Sequence, residues 1–178
     1  MFIDFVSTIV SHATIRRDLE KGTFLFHRND PVKSVFVVTN GTIELTRFQK
    51  GGTTIVLQRA GKMVFLAEAS VYSDVYHCDA FVAEPSAVQE LNRSAFIKLL
   101  TNDEALFHAW ATHLAREVQA TRYRCEILSQ KTVSDRLDGW LTWKGSGLPS
   151  KGQWKSVANQ IGVSPESLYR ELAKRRNG

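Results

Sequence analysis

The spacing of apolar residues changes near residue 92, and this change constrains the fold more than any other feature of the sequence. Between residues 19 and 91, β-branched and aromatic residues come in short runs bounded by Gly, Asn, Asp and Pro, which is typical of β-strands joined by turns. From Ser94 onward the apolar residues follow the three- and four-residue spacing of helices. We therefore expect an α+β protein, and 178 residues are enough for a β-rich part and a helical part.

Seven of these runs predict strands, at residues 23–26, 35–38, 43–47, 53–57, 63–66, 79–83 and 87–91. Asn40-Gly41 predicts a two-residue hairpin between the second and third strands, because both residues tolerate positive φ. Gly51-Gly52 predicts the next reversal of the chain. Strands this short and evenly spaced favour an antiparallel β-roll of the jelly-roll type.

A long helix is predicted after the start signal at residues 101–104. Its apolar positions are separated by three or four residues and form a narrow stripe over about six turns. The stripe consists of Leu106, Trp110, Leu114, Val118, Thr121, Cys125 and Leu128. The other positions are strongly polar, so we expect the stripe to be the seam of a homodimer. Packing of this helix against its own β-domain is the alternative.

The chain has a formal net charge of +5, and residues 144–178 carry all of it. This segment holds seven lysines and arginines but only two glutamates, whereas the preceding residues are neutral overall. A basic module at the end of a neutral body predicts a polyanionic partner, with nucleic acid favoured over an anionic membrane surface. From charge alone, a solvated basic tail is the alternative.

The basic segment also shows the pattern of a helix-turn-helix, after a predicted helix at residues 133–143. The first short helix is marked by its apolar residues, Trp154, Val157, Ala158 and Ile161. Gly162 ends it. Ser164-Pro165-Glu166 begins the second helix with an N-cap residue, a proline in the first helical position and an acid in the first turn.

Two charged residues of the second helix have the chemistry to contact bases. Glu166 and Arg170 lie four residues apart and therefore project from one face. Arginine can bind O6 and N7 of guanine together, and a carboxylate can accept a hydrogen bond from N4 of cytosine. We expect this pair to contact bases in the major groove; an ordinary surface ion pair is the alternative.

Two stretches of the sequence resemble the Crp/Fnr family of transcription regulators, and the resemblance covers about residues 19–178. The first stretch comprises Leu19-x-x-Gly22-x-x-Leu25-Phe26, Asp30-Pro31, Phe36-Val37-Val38-Thr39-Asn40-Gly41-x-Ile43-x-Leu45-x-Arg47, and Gly61 ahead of Glu68. The second is Gly162-Val163-Ser164-Pro165-Glu166-Ser167-Leu168-Tyr169-Arg170-Glu171-Leu172. Both occur in the family's order with the long helix between them, which makes the resemblance highly specific.

The resemblance implies a β-roll with flanking helices at residues 1–100, a dimerisation helix at 101–130 and a truncated winged-helix domain with a helix-turn-helix at 131–178. It implies a homodimeric regulator that binds a pseudo-palindromic site on double-stranded DNA, with the helix at 164–176 in the major groove. RNA polymerase becomes a candidate partner. The expected DNA-binding residues are Ser164, Glu166, Ser167, Tyr169, Arg170 and Lys174, with Ser164, Ser167 and Lys174 contacting phosphates.

The expected effector pocket departs from the family pattern. In relatives that bind cyclic nucleotides, a Gly-Glu pair is followed by a cluster whose arginine pairs with the cyclic phosphate. Here the pair is Ala67-Glu68, and no arginine occurs between Arg59 and Arg93. We therefore expect the roll not to bind cyclic AMP tightly. The candidate pocket residues are Glu68, Ser70, Tyr76, His77 and Cys78.

We expect no metal and no cofactor. Cys78 and Cys125 are too few for a disulfide framework, a four-cysteine zinc site or an iron–sulfur cluster in one chain. His77-Cys78 could ligate haem, but a strand histidine beside a small buried thiol is the simpler interpretation. The five histidines include no His-x-His pair, which argues against a cupin-like metal-binding protein.

The remaining expectations concern function class and location. The sequence shows no nucleophile with a base and no Gly-rich phosphate loop, so we expect no enzyme. It has no run of 18 apolar residues and no secretory signal, so we expect a cytoplasmic protein with no membrane partner. The family's two-stranded wing has no counterpart before Gly178, so we expect Lys174, Arg175 and Arg176 to supply phosphate contacts and DNA binding to be weaker and steeply salt-dependent. A β-roll regulatory module that acts through protein contacts is the alternative.

Overall fold

The computed structural model of the protein describes residues 4–52, 54–145 and 147–177. Thr53, part of the fourth predicted strand, lies outside these ranges. The chain divides into two compact units, Met1–Leu114 and Ala115–Gly178. This division falls inside the long helix rather than at residue 101 or 131, because the first three turns of that helix pack into the core of the first unit.

The first unit contains two four-stranded antiparallel sheets. Their strands are β1 (Ile15–Leu19), β2 (Phe24–Phe26), β3 (Ser34–Asn40), β4 (Ile43–Phe48), β5 (Thr54–Ala60), β6 (Val64–Leu66), β7 (Asp79–Val82) and β8 (Ser86–Asn92). One sheet has the order β1-β8-β3-β6 and the other has the order β2-β7-β4-β5. The predicted α+β class with an antiparallel roll is confirmed. Strand β1 was not predicted, because its sequence is mostly charged and exposed.

The predicted hairpin at Asn40-Gly41 is wrong. Strands β3 and β4 belong to different sheets, so the turn carries the chain from one sheet to the other. Gly41 has φ +78°, and a Cβ atom built there would lie 2.3 Å from the backbone oxygen of Pro85. Glycine is therefore needed for a close backbone approach between loops. The reversal at Gly51-Gly52 is confirmed, because β4 pairs with β5.

Strand β3 packs on both of its faces, which explains why it is buried from Ser34 to Val38. Phe36 and Val38 belong to a core formed by side chains of both sheets. Val35 and Val37 belong to a second core, on the outer face of their sheet, which the helices cover.

Three helices cover that face: α1 (Phe5–His12), α2 (Arg93–Asn102) and the first part of α3 (Glu104–Ser129). The second core is rich in aromatic rings. The ring centroid of Trp110 in α3 lies 5.2 Å from those of Phe5 and Phe96 and 5.5 Å from that of Phe65. Large rings bury more area than aliphatic side chains, so they dominate the stability of this contact.

The second unit is helical. It contains the remainder of α3 followed by α4 (Val133–Lys144), α5 (Trp154–Gln160) and α6 (Pro165–Asn177). Its core consists of Ile127, Leu137, Trp140, Val157, Ala158, Ile161, Leu168 and Leu172. Thr132 caps α4 by accepting a hydrogen bond from the backbone N–H of Asp135 at 3.0 Å. Every helix predicted from the sequence is therefore present.

Candidate nucleic-acid interface

The turn between α5 and α6 is closed by backbone hydrogen bonds and a glycine. The N–H of Val163 donates to the carbonyl of Ala158 at 3.0 Å, and Gly162 adopts φ +65°. A Cβ atom on Gly162 would lie 2.7 Å from Cδ2 of Leu128. The residue is therefore constrained mainly by its backbone angle, since the Leu128 side chain is 40% exposed and its end can move.

Helix α6 begins as the sequence predicted. Oγ of Ser164 accepts a hydrogen bond from the backbone N–H of Ser167 at 3.2 Å, and the Ser164 carbonyl accepts from Leu168 at 3.1 Å. The pKa of Glu166 is lowered by hydrogen bonds from its own backbone N–H and then from the Ser164 hydroxyl. Glu166 is therefore an ionised hydrogen-bond acceptor at neutral pH, held in the first turn of the helix.

Helix α6 has one buried face and one exposed face. Leu168 and Leu172 are buried in the core of the second unit. The opposite face exposes four of the six predicted DNA-binding residues, Glu166, Tyr169, Arg170 and Lys174. The other two, Ser164 and Ser167, form the cap. The described residues include no ion pair between Glu166 and Arg170, so the structure gives the surface-pair alternative no support.

Aromatic packing holds Tyr169. Its ring centroid lies 5.8 Å from that of Trp154 at the start of α5. The indole N–H of Trp154 donates to the backbone carbonyl of Pro149 at 2.9 Å. Tyr169 therefore links the recognition face of α6 to the loop that precedes α5.

Arg136 and Arg175 hold the helix-turn-helix. The sequence did not indicate a structural role for either arginine. Nη1 of Arg136, on α4, donates to the carbonyls of Ile161 at 3.2 Å and Gly162 at 3.0 Å. Arg175, in the last turn of α6, donates hydrogen bonds to the carboxylates of Asp138 on α4 and of Glu171 on α6. Most of its N–H donors are therefore engaged within the chain, and its role as a phosphate contact stays a prediction that this arrangement does not favour.

The predicted dimer stripe is only partly exposed. Leu106 is 1% exposed and Trp110 is 2% exposed, so the assignment of these two residues to a dimer seam is wrong. They pack into the core of the first unit, as expected from the alternative that this helix packs against its own β-domain. The rest of the predicted stripe comprises half-buried Leu114 and the exposed residues Val118, Thr121, Cys125 and Leu128. The structure adds Phe107, which is 48% exposed.

The predicted effector residues separate into two groups. Glu68 and Ser70 lie in a 3₁₀ turn (Glu68–Ser70), and Nδ1 of His77 lies 3.0 Å from Oγ of Ser70. Tyr76 and Cys78 are instead buried in the core of the roll, with the Tyr76 ring stacked at 3.8 Å on that of Phe26. These two residues therefore fill the interior of the roll rather than line an open pocket.

The charges around this turn are already engaged. Nε and Nη2 of Arg47 donate to the carbonyl of His77 at 3.1 and 3.0 Å. Partial burial, and then the charge of Arg47, lower the pKa of His77. Burial, and then the charges of Asp79 and Glu68, raise the pKa of Cys78 to about 11, so its thiol is protonated at neutral pH. A protonated thiol is a poor metal ligand.

Two properties of the described residues bear on other classes of function. No group of three or more His, Cys, Asp or Glu side chains in that part of the chain is placed to hold a metal ion. Within the same residues, no helix has both the length and the apolar character needed to cross a membrane.

Comparison with known proteins agrees with this architecture. The family model described as cyclic nucleotide-binding domain matches residues 16–103. The transcriptional activator protein anr of Pseudomonas aeruginosa is 22% identical over 173 residues, which cover 91% of this chain and 71% of that protein. The chain contains a cyclic nucleotide-binding domain and is similar to regulators of the Crp/Fnr type.

Two further comparisons define how far the likeness extends. The anaerobic regulatory protein of Bacillus subtilis is 25% identical to this chain over 118 residues, 63% of this chain and 49% of that protein. The solved structure of FixK2 from Bradyrhizobium japonicum has a TM-score of 0.75 and 16% identity, covering 93% of this chain and 85% of that one. At that identity the structural likeness shows the fold alone.

Sequence reasoning missed three residues that shape the candidate interfaces: Phe107, Arg136 and Asp138. Phe107 follows Leu106, and apolar spacing alone does not tell which of the two faces the core. Arg136 and Asp138 lie on α4, outside the helix-turn-helix pattern. The sequence offered one signal for these two residues: a basic and an acidic residue lie two positions apart beside a predicted DNA-binding module.

Proposed function

We propose that this chain is a homodimeric, sequence-specific DNA-binding regulator of transcription. Its relatives are Crp/Fnr-type transcriptional regulators. The observation that supports the proposal most strongly is the exposed face of α6, where Glu166 and Arg170 project from a helix whose opposite face is fixed in a core. A regulator of this type acts in the cytoplasm on RNA polymerase at a promoter and performs no catalysis.

Glu166 and Arg170 supply complementary chemistry for one base pair or two adjacent pairs. The Arg170 guanidinium would donate to O6 and N7 of guanine, while the Glu166 carboxylate would accept from N4 of cytosine. Lys174, one turn after Arg170, would contact the phosphate backbone. The positive end of the α6 helix dipole would also favour a phosphate beside Ser164 and Ser167.

Dimerisation would place two α6 helices on one DNA duplex. Along α3, Phe107, Leu114, Val118, Thr121, Cys125 and Leu128 follow the alternating three- and four-residue spacing of a two-stranded coiled coil, with Ala111 filling the remaining position. Two copies joined along this stripe would bind half-sites about 34 Å apart, which is one turn of DNA.

We also propose that the roll does not bind cyclic AMP tightly. Arg47, near the 3₁₀ turn of Ser70, donates two hydrogen bonds to the His77 carbonyl. The interior is filled by Tyr76 and Phe26. A cyclic phosphate bound here would lack a bidentate arginine partner, which would cost about 3 kcal/mol of charge-assisted hydrogen bonding. Micromolar affinity in a calorimetric titration would contradict this proposal.

Selection of bound duplexes from random DNA, performed at two salt concentrations, tests the function directly. We expect enrichment of one sequence with two inverted half-sites, and weaker retention at the higher salt because phosphate contacts release counterions. Equal retention of all sequences at both salt concentrations would contradict sequence-specific binding and favour a module that acts through protein contacts.

A further inference from the structure

Arg175 lies in the basic last turn of α6 but directs its donors into its own domain. Nη1 and Nη2 donate to the two carboxylate oxygens of Asp138 at 2.6 and 3.0 Å. Nη2 also donates to the carbonyl and the hydroxyl oxygen of Ser134, at 3.1 and 2.8 Å. Nε donates to Oε1 of Glu171 at 2.8 Å. All three guanidinium nitrogens are therefore engaged.

These contacts join two helices. Asp138 and Ser134 lie one turn apart on α4, whereas Arg175 lies in the final turn of α6. The Arg175 side chain is 31% exposed and the Asp138 side chain is 58% exposed, so solvent screens the charges of the pair and its contribution lies mainly in its geometry. A bidentate arginine–carboxylate pair fixes both the distance and the orientation of its partners, which a lysine cannot do. The hydrogen bonds to Asp138 and then Glu171 raise the pKa of Arg175.

The neighbours of Arg175 differ from it. Lys174, Arg175 and Arg176 are all exposed, but among the described residues the ion pairs of this turn involve Arg175 alone. The charge of Arg175 is balanced by Asp138 and Glu171, so it would displace few counterions from DNA, whereas Lys174 and Arg176 remain available for that role.

We propose that Arg175 is a positioning residue, which holds the C-terminal end of α6 on α4 and thereby fixes the direction in which Glu166 and Arg170 face DNA. Leu168 and Leu172 pack the middle of α6 into the core, but its last turn has no further buried apolar residue. Helix ends fray when nothing holds them. The Asp138–Arg175 pair supplies the missing contact at that end.

This inference rests on the proposed DNA-binding function, and it makes predictions that a phosphate contact would not. Arg175→Lys keeps the charge but loses the bidentate geometry, so we expect affinity for the selected duplex to fall about tenfold. Asp138→Asn makes the chain more positive by one charge, which alone would strengthen DNA binding, yet we expect a similar loss. Arg176→Lys is the matched control and should bind as tightly as the original protein.

The experiment is fluorescence anisotropy of the full-length variants with the selected duplex over a range of salt concentrations, together with amide hydrogen exchange of α6. If Arg175 only positions the helix, the slope of log K against log salt stays unchanged in Arg175→Gln, whereas Arg176→Gln lowers it by about one if that residue contacts a phosphate. Exchange in the last turn of α6 should rise in Arg175→Gln and Asp138→Asn but not in Arg176→Gln.

The outcomes separate the two claims. A slope lowered by about one in Arg175→Gln, with full affinity in Arg175→Lys, would make Arg175 a phosphate contact and overturn the inference while the proposed function stands. Unchanged exchange in Asp138→Asn would also overturn it. If the original protein binds no duplex at any salt concentration, the proposed function fails, and the DNA role of Arg175 fails with it.

Discussion

At the residue scale, two glycines with nearly the same backbone angle have different roles. Gly41 has φ +78° and Gly52 has φ +81°, but only Gly41 has atoms within 4 Å of the position of a Cβ. Gly52→Ala should cost only the left-handed strain, about 1 kcal/mol. Gly41→Ala adds a clash with the Pro85 backbone, so we expect a loss of about 3 kcal/mol or more. Urea unfolding of both variants measures the difference, and equal losses would contradict the close approach.

The raised pKa of the Cys78 thiol predicts that the free energy of unfolding falls at alkaline pH. Burial in the folded state raises the pKa of this thiol from its ordinary value of 9.0 to about 11, so the folded chain holds the proton more tightly than the unfolded chain. The contribution is fully present below pH 9 and is lost as pH rises to 11, by about 2–3 kcal/mol. Reduced protein and Cys78→Ala should therefore differ less in free energy of unfolding at pH 11 than at pH 8. The same difference in free energy of unfolding at pH 8 and pH 11 would contradict a raised pKa for this thiol.

At the element scale, α3 shows where sequence patterns stop being sufficient. Leu106 and Phe107 are adjacent, apolar and helical, yet one is buried and the other is exposed. A shift of one residue turns the side chain by about 100°. The aromatic rings of Phe5, Phe65 and Phe96, distant in sequence, decide which of the two faces the core. The cap at Ser164 depends on neighbouring residues only, and it was predicted correctly.

The exposed stripe of α3 makes a prediction about oligomeric state. Val118→Glu would place a charge in the proposed seam, so this variant should be monomeric at concentrations where the original chain is dimeric. Gln119→Glu, the matched control, adds a negative charge at the next exposed position and should remain dimeric. Light scattering measures both masses. A dimeric Val118→Glu, or a monomeric Gln119→Glu, would contradict the seam.

At the scale of the whole molecule, the order of parts was predictable and the contacts between distant residues were not. Strand runs, turn residues and helix caps are local, so they indicated the roll, the long helix and the helix-turn-helix. The hairpin predicted at Asn40-Gly41 was wrong because a turn within a sheet and a turn between sheets require the same local conformation. Arg175 and Arg176 are identical in type, and the positions of Asp138 and Ser134 on α4 distinguish them.

The central claim is that α6 identifies a DNA sequence through Glu166 and Arg170. The most direct measurement is the affinity of the original chain and of Arg170→Ala for every single-base variant of the selected duplex, at one salt concentration. We expect Arg170→Ala to lose about 1–3 kcal/mol on the selected duplex and to stop discriminating at one base pair in each half-site, with the other positions unchanged. If Arg170→Ala keeps the same affinity and the same discrimination at every position, the account of base contact by α6 is wrong.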